Sequence, residues 1–381
     1  MSEEAWERLV TISREGLFPC IQCGKCMGGC PISLVSPTFN IRRVLNDVLV
    51  TKGEEVAHGR DVLWNCSACG TCKSRCPKGV SPMDMVFNLR SVLVEDGEVP
   101  SKVRDVLKSI DLRKNPWNMV GDSRKEWMEG LGIKSAAEAE VLYFVCCTPA
   151  LDPRLQKIPK ALAKAFERGG VSFGTLGADE VCCGNEIKRL GDIWNFEALM
   201  ETNKESFNQS GVKEIVVTSP HCYNTFKNDY SGLTAEVKHY TQVLDGLLAE
   251  NRITFTGQFA RKVAYHDPCF LGKQNKIFDE PRRVLQAVPG LTYVEFDRCR
   301  ERSLCCEGGG GRMWIEAFDA GEKTANVRVK EALELGVDVI AVACPFCLLT
   351  LEDAVKSGGH EEKLQVMDIS EIVGQVLGGC P

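Results

Sequence analysis

Twenty cysteines in a chain of 381 residues constrain the fold more than any other feature. Most stand two or three residues from the next, as in Cys20, Cys23, Cys26 and Cys30, and again in Cys66, Cys69, Cys72 and Cys76. Such near neighbours pair as disulfides only with strain. Disulfide-dense proteins are also mostly small and secreted. This chain is large, and its opening residues, Met1-Ser-Glu-Glu-Ala-Trp-Glu-Arg, lack the apolar core of a secretory signal. Metal ligation by thiolates is therefore the better reading. Lys+Arg (46) against Asp+Glu (52) leaves a net charge of −6, and no basic block offers a nucleic-acid surface. With 44% hydrophobic residues the chain can build a core. Its longest apolar candidate, Val339 to Leu351, falls short of the ~20 residues of a membrane span. The expectation is a cytoplasmic protein without a transmembrane segment of its own, peripheral to a membrane at most through a partner.

Cys20-x2-Cys23-x2-Cys26-x3-Cys30-Pro31 recurs as Cys66-x2-Cys69-x2-Cys72-x3-Cys76-Pro77. This resembles the bacterial two-cluster ferredoxin run, written twice. The x2 spacing wraps three thiolates around one 4Fe–4S cube, and the fourth cysteine serves the other cube. Cys20, Cys23, Cys26 and Cys76 are thus assigned to one cube, and Cys66, Cys69, Cys72 and Cys30 to the second. A structural zinc would not need four cysteines per run plus crossing. Ile41, Leu45 and Val48 predict an amphipathic helix between the runs. Ser81-Pro82 predicts the start of another, with Val86, Leu89 and Leu93 as its apolar stripe. Residues 1–100 are read as a mainly helical domain, and 101–138, which hold no cysteine, as a linker.

The remainder contains a repeat. Tyr143 to Cys147 matches Tyr265 to Cys269, an offset of 122. Cys182-Cys183-Gly184 matches Cys305-Cys306-Glu307, an offset of 123, and Cys222 matches Cys344, again 122. In each half a short apolar run (141–145, 263–265) precedes a cysteine, and a second run (215–217, 339–342) leads into another. In the first half Ile158, Leu162 and Phe166 lie on one helical face that ends at Gly169-Gly170. Strands alternating with helices predict parallel α/β sheets, with sites beyond the carboxyl ends of strands. The two units are taken as 139–255 and 256–381.

These motifs resemble the heterodisulfide reductase family. Its cysteine-rich domain carries Cys-x(31–39)-Cys-Cys-Gly-x(35–38)-Cys-x-x-Cys. The order here is similar to that of the family's D-type subunit, which is equivalent to its C-type and B-type subunits fused. The resemblance implies a non-cubane 4Fe–4S cluster on five thiolates in each complete repeat, a pair of which reduces the disulfide between coenzymes M and B. Cys269, Cys305, Cys306, Cys344 and Cys347 match the complete motif. They are the expected non-cubane ligands and catalytic residues.

The chain departs from the family at several points. Thr225 stands where the first repeat's fifth cysteine belongs, which leaves Cys147, Cys182, Cys183 and Cys222 for an ordinary cube or zinc. His221 reads as a loop histidine without metal rather than a substitute ligand. Cys146, where the family has glycine, reads as a small core residue rather than a rotated ligand. Glu307 replaces the glycine after the second pair and reads as a solvent-facing loop residue rather than a tuner of the cluster. Gly308 to Gly311 lack the Lys-Ser/Thr of a phosphate loop and read as allowing backbone near the cluster. His266 is left between a strand-end hydrogen bond and donation to a cluster sulfide or substrate. Cys299 reads as a spare thiol and Cys380 as exposed.

No nucleotide or flavin motif appears, so hydride chemistry belongs to a partner. The expectation is an iron–sulfur electron-transfer subunit of a heterodisulfide reductase-like complex. Its partner would be a flavin subunit, a hydrogenase, a membrane cytochrome, or an aromatic-acyl-CoA or hydroxy-acid oxidoreductase. The alternative is catalytic reduction of a disulfide at the second repeat.

Overall fold

The computed structural model describes residues 16–50, 60–315 and 321–377. The opening residues and Cys380 lie outside them. The N-terminal part is helical, with helices Ile41–Val50 and Pro82–Glu95 packing Ile41, Leu45, Val48, Val86, Leu89 and Leu93 inward. Ser81 caps the second of these, its Oγ accepting from Asp84 N at 3.4 Å, with Pro82 in the first turn where a missing N–H costs nothing.

Two parallel sheets follow. The first contains β1 (Lys134–Ser135), β2 (Val141–Phe144), β3 (Phe173–Thr175), β4 (Glu214–Val217) and β5 (Glu236–His239), in the order β1-β3-β2-β4-β5. The second contains β6 (Lys262–Tyr265), β7 (Thr292–Val294), β8 (Val339–Val342) and β9 (Gln365–Asp368), in the order β7-β6-β8-β9. Every pairing is parallel. Omitting β1, the two orders coincide, as a repeat requires. Strands such as Val339–Val342 are apolar throughout because helices cover both faces. Helix Lys157–Arg168 buries Ile158, Leu162 and Phe166 and stops at Gly169-Gly170, with Gly170 left-handed at φ 64°.

The segment read as a linker is more than a connector. It forms helix Ser101–Arg113, adds β1 to the edge of the first sheet, and buries Arg124 and Trp127. The sheet therefore begins at 134, before the boundary placed at 139.

Arg90 ties the three parts together. It is wholly buried on helix Pro82–Glu95. Its guanidinium donates to the carbonyls of Leu63 (2.7 Å), Cys66 (2.9 Å), Arg189 (2.8 Å) and Gly310 (3.0 Å). Those carbonyls belong to the helical part, the first repeat and the second repeat. Burial pushes the Arg90 pKa down to about 10, so it stays charged at neutral pH. The glycine run meets this junction: a Cβ on Gly310, at φ 65°, would lie 2.7 Å from the Cys66 carbonyl oxygen. Those glycines admit the loop of the helical part.

Candidate functional site

All nineteen described cysteines are free thiols. In the helical part the two runs fold as copies. Gln22 and Ala68 (φ 55° and 57°) and Gly24 and Gly70 (φ 76° and 73°) are left-handed at matching places. Consecutive turns of this kind aim backbone N–H groups into a concavity suited to anionic groups. Cys20, Cys23, Cys26 and Cys76 line one cavity. Cys30 lies instead beside Cys66, Cys69 and Cys72. The crossing inferred from spacing is the grouping the fold brings together. Burial raises the thiol pKa of Cys30 to about 12 and that of Cys72 well above the usual range. Several thiols crowded out of water disfavour the thiolate, and a bound cation offsets that cost.

In the second repeat the site stands beyond the carboxyl ends of β6 and β8. Cys269 follows β6, Cys305-Cys306 lie on the loop after β7, and helix Pro345–Ser357 starts at Cys344 and carries Cys347. The thiols form a connected set: Cys269 touches Cys305, Cys305 touches Cys306, Cys306 lies 3.2 Å from Cys347, and Cys347 touches Cys344. All are buried. The Cys69 thiol of the helical part touches Cys305 as well. Lys273 and Gln274 of this repeat hold the cysteine loop of the helical part through Thr71 Oγ1 (2.8 Å) and Ala68 O (3.0 Å).

Glu307 departs from expectation. It is buried, and its carboxylate pairs with Arg312 and accepts from Thr324 N at 2.8 Å. Its φ of 74° matches the 81° of Gly184 in the first repeat, so the backbone here keeps the glycine conformation while a side chain fixes the loop. His266 is 1% exposed and neither ring nitrogen has a hydrogen-bond partner among the described residues. A ring nitrogen lies within 4.8 Å of the Cys306 and Cys347 thiols. The strand-end hydrogen bond is thus not made, and the ring faces the thiols. Burial, with Arg328 nearby, pushes its pKa down to about 3, keeping the ring neutral.

His221 also differs from expectation. It does not turn to its neighbour Cys222. Its Nδ1 lies 3.0 Å from Glu186 Oε1, and its ring contacts the Cys344 thiol of the other repeat. Phe270 and Phe346 pack on it with ring centroids at 4.4 and 4.8 Å. Burial works against the imidazolium, but Cys344 and Glu186 hold the pKa up at about 10. A charged donor beside Cys344 favours the thiolate there.

In the first repeat, Cys147 touches Cys182, Cys182 touches Cys183, and Cys183 lies 3.2 Å from Cys222. Thr225 sits one turn beyond Cys222 with its hydroxyl accepting from Asn185 Nδ2 at 2.9 Å. Sequence reasoning missed Arg124. It donates to Cys147 Sγ at 3.1 Å and pairs with the buried Glu180 at 3.0 Å. Glu180 in turn accepts from Val145 N (2.8 Å) and Cys146 N (3.0 Å). Cys146 needs that clamp: at φ 77° and ψ 154° it occupies a region used almost only by glycine. Holding a side chain there costs on the order of 1–3 kcal/mol. Cys299 is half-buried on the loop before the second pair.

The comparisons with known proteins agree with this geometry. The cysteine-rich CCG domain matches residues 141–227 and 263–352, and the 4Fe-4S dicluster domain matches 16–80. EtfAB:quinone oxidoreductase of Syntrophomonas wolfei is 33% identical over 95% of the chain, and the probable iron-sulfur-binding oxidoreductase FadF of Bacillus subtilis 31% over 95%. The chain spans only 58% and 60% of the length of these two relatives. The D-type subunit of the dihydromethanophenazine:CoB--CoM heterodisulfide reductase of Methanosarcina acetivorans is 29% identical over 98% of the chain and 97% of its own length. The class is thus that of iron–sulfur proteins joining a 4Fe-4S dicluster domain to two CCG domains. Within that class, the chain is similar over nearly its whole length to the D-type heterodisulfide reductase subunit. Among the described residues no helix is long and apolar enough to cross a membrane.

Proposed function

We propose that the chain is an iron–sulfur electron-transfer subunit of a heterodisulfide reductase-like oxidoreductase complex. Two cubes would be held by Cys20, Cys23, Cys26 and Cys76 and by Cys66, Cys69, Cys72 and Cys30. A non-cubane cluster would be held by Cys269, Cys305, Cys306, Cys344 and Cys347, and a further cluster or zinc by Cys147, Cys182, Cys183 and Cys222. The clusters supply one-electron carriers; the chain spaces and insulates them. The observation that carries this reading is the contact between the Cys69 and Cys305 thiols, which joins the second ferredoxin set to the second repeat. The first ferredoxin set is the open end, with Cys23 exposed and Phe18 and Ile21 67% and 59% exposed beside it. A protein partner would deliver or take electrons there. The names of the relatives, one a quinone oxidoreductase acting with EtfAB, support a partner within a redox complex.

The test is freeze-quench electron paramagnetic resonance on the anaerobic full chain after substoichiometric reduction. The ferredoxin signals should form first and the second-repeat signal grow at their expense. Electrons that never leave the ferredoxin clusters would refute the order. A second reading, disulfide reduction at the second repeat, is favoured by a cleft of about 350 Å³ beside Cys306, lined by Arg312, Trp314 and Lys323. Release of thiol from an added disulfide by the reduced chain alone would select it.

A further inference from the structure

The contacts among the thiols run in the same order in both repeats. In the second the order is Cys269, Cys305, Cys306, Cys347, Cys344. In the first it is Cys147, Cys182, Cys183, Cys222, and then Cys146, whose thiol touches Cys222. The final place is filled from a different element. Cys344 starts the helix after β8, whereas Cys146 ends the segment after β2. Cys222 correspondingly takes the position toward Cys183 that Cys347 takes toward Cys306, at the same 3.2 Å.

We infer that Cys146 is the fifth thiolate of the first repeat, so that Cys146, Cys147, Cys182, Cys183 and Cys222 hold an iron–sulfur cluster of the same class as the second repeat. The inference rests on the reading of the first repeat as a metal site. Three further observations support it. Cys146 is buried, with its sulfur beside Cys222 and 3.6 Å from the Phe144 carbonyl, and it takes a hydrogen bond from Ser219 N at 3.3 Å, the kind of N–H···S contact that supports a ligating sulfur. Its backbone is held in a glycine-like conformation by Glu180, which Arg124 anchors, so the fold maintains strain in order to place this side chain. Thr225 is out of contention because Asn185 occupies its hydroxyl.

The test uses the full chain, purified anaerobically, with iron and sulfide assays, electron paramagnetic resonance and Mössbauer spectroscopy. Cys146→Gly suits the local backbone and should fold; Cys146→Ser, which keeps the side-chain size, is the second variant. Both should lose the five-thiolate spectrum of the first repeat while the ferredoxin and second-repeat signals stay. The iron lost should be up to about four of about sixteen per chain. Cys183→Ala should lose the same signal. If Cys183→Ala removes it while both Cys146 variants keep iron and spectrum, Cys146 is not a ligand though the site stands. If Cys183→Ala also changes nothing, the first repeat holds no cluster and the underlying reading falls with the inference.

Discussion

The two cysteine-rich repeats share strand order, site position and a connected set of thiols, yet they are wired differently. The second is in thiol contact with the ferredoxin part through Cys69, and it also receives His221 from its sister repeat. The first receives Arg124 from the segment that precedes it. On the proposed reading the second would be next in line for electrons, while the first is set apart by a guanidinium. Duplication supplied two equivalent pockets, and the elements packed against each made them different.

The largest test of this contrast is all-or-none. Cys305→Ala should remove the second-repeat signal, about four irons, and stop electrons leaving the ferredoxin clusters. Cys183→Ala should remove a comparable amount of iron yet leave that transfer intact. Equal effects on transfer, read by freeze-quench spectroscopy, would erase the distinction.

Arg90→Met should come next. It leaves four carbonyls, most of them buried, without their donor and should cost several kcal/mol, at about 1–3 kcal/mol for each buried acceptor left unsatisfied. Denaturant melts of the holo chain would measure it.

The third test uses the residues that cap the helices after β5 and β9. They occupy the same place, yet one is His239 and the other Asp368. Burial lowers the His239 pKa from 6.5 to about 3, so its contribution is present above 6.5 and lost as pH falls toward 3. Burial raises the Asp368 pKa from 3.8 to about 7, so the folded state binds a proton the unfolded state releases. Stability then falls as pH rises from about 4 to about 7. Asp368→Asn should flatten the second slope, a change of up to about 4 kcal/mol across that window. A pH series of denaturation midpoints separates the two.

The smallest effect is expected at Thr225→Ala, which should leave metal content unchanged. It should lower stability by about 1 kcal/mol for the lost Asn185 hydrogen bond. A change of iron content would make Thr225 a ligand and end the argument for Cys146.

What is legible in the sequence is what is local or periodic. The x2 spacing wraps a loop on itself, so the grouping of Cys20, Cys23 and Cys26 follows from a few residues. The sheets can be read because three cysteine landmarks recur at offsets of 122 or 123. Most departures from expectation involve contacts made across the chain. Cys146 meets Cys222, Arg124 reaches Cys147 out of a stretch without cysteines, and His221 crosses to the other repeat. Nothing in the neighbouring residues announces such partners. Glu307 misleads because a carboxylate at a glycine position suggests water, whereas Arg312 and Thr324 supply its partners internally.

Arg90 has a consequence for rate. Domains joined by small polar interfaces ordinarily reorient, and transfer between their cofactors then waits for an arrangement that brings them close. One guanidinium bonded at once to all three parts of this chain removes that freedom. The distance between the second ferredoxin set and the second repeat is then a constant of the fold. On the proposed reading, transfer across it would be governed by driving force and separation alone, and solvent viscosity, which slows gated carriers, should leave it untouched.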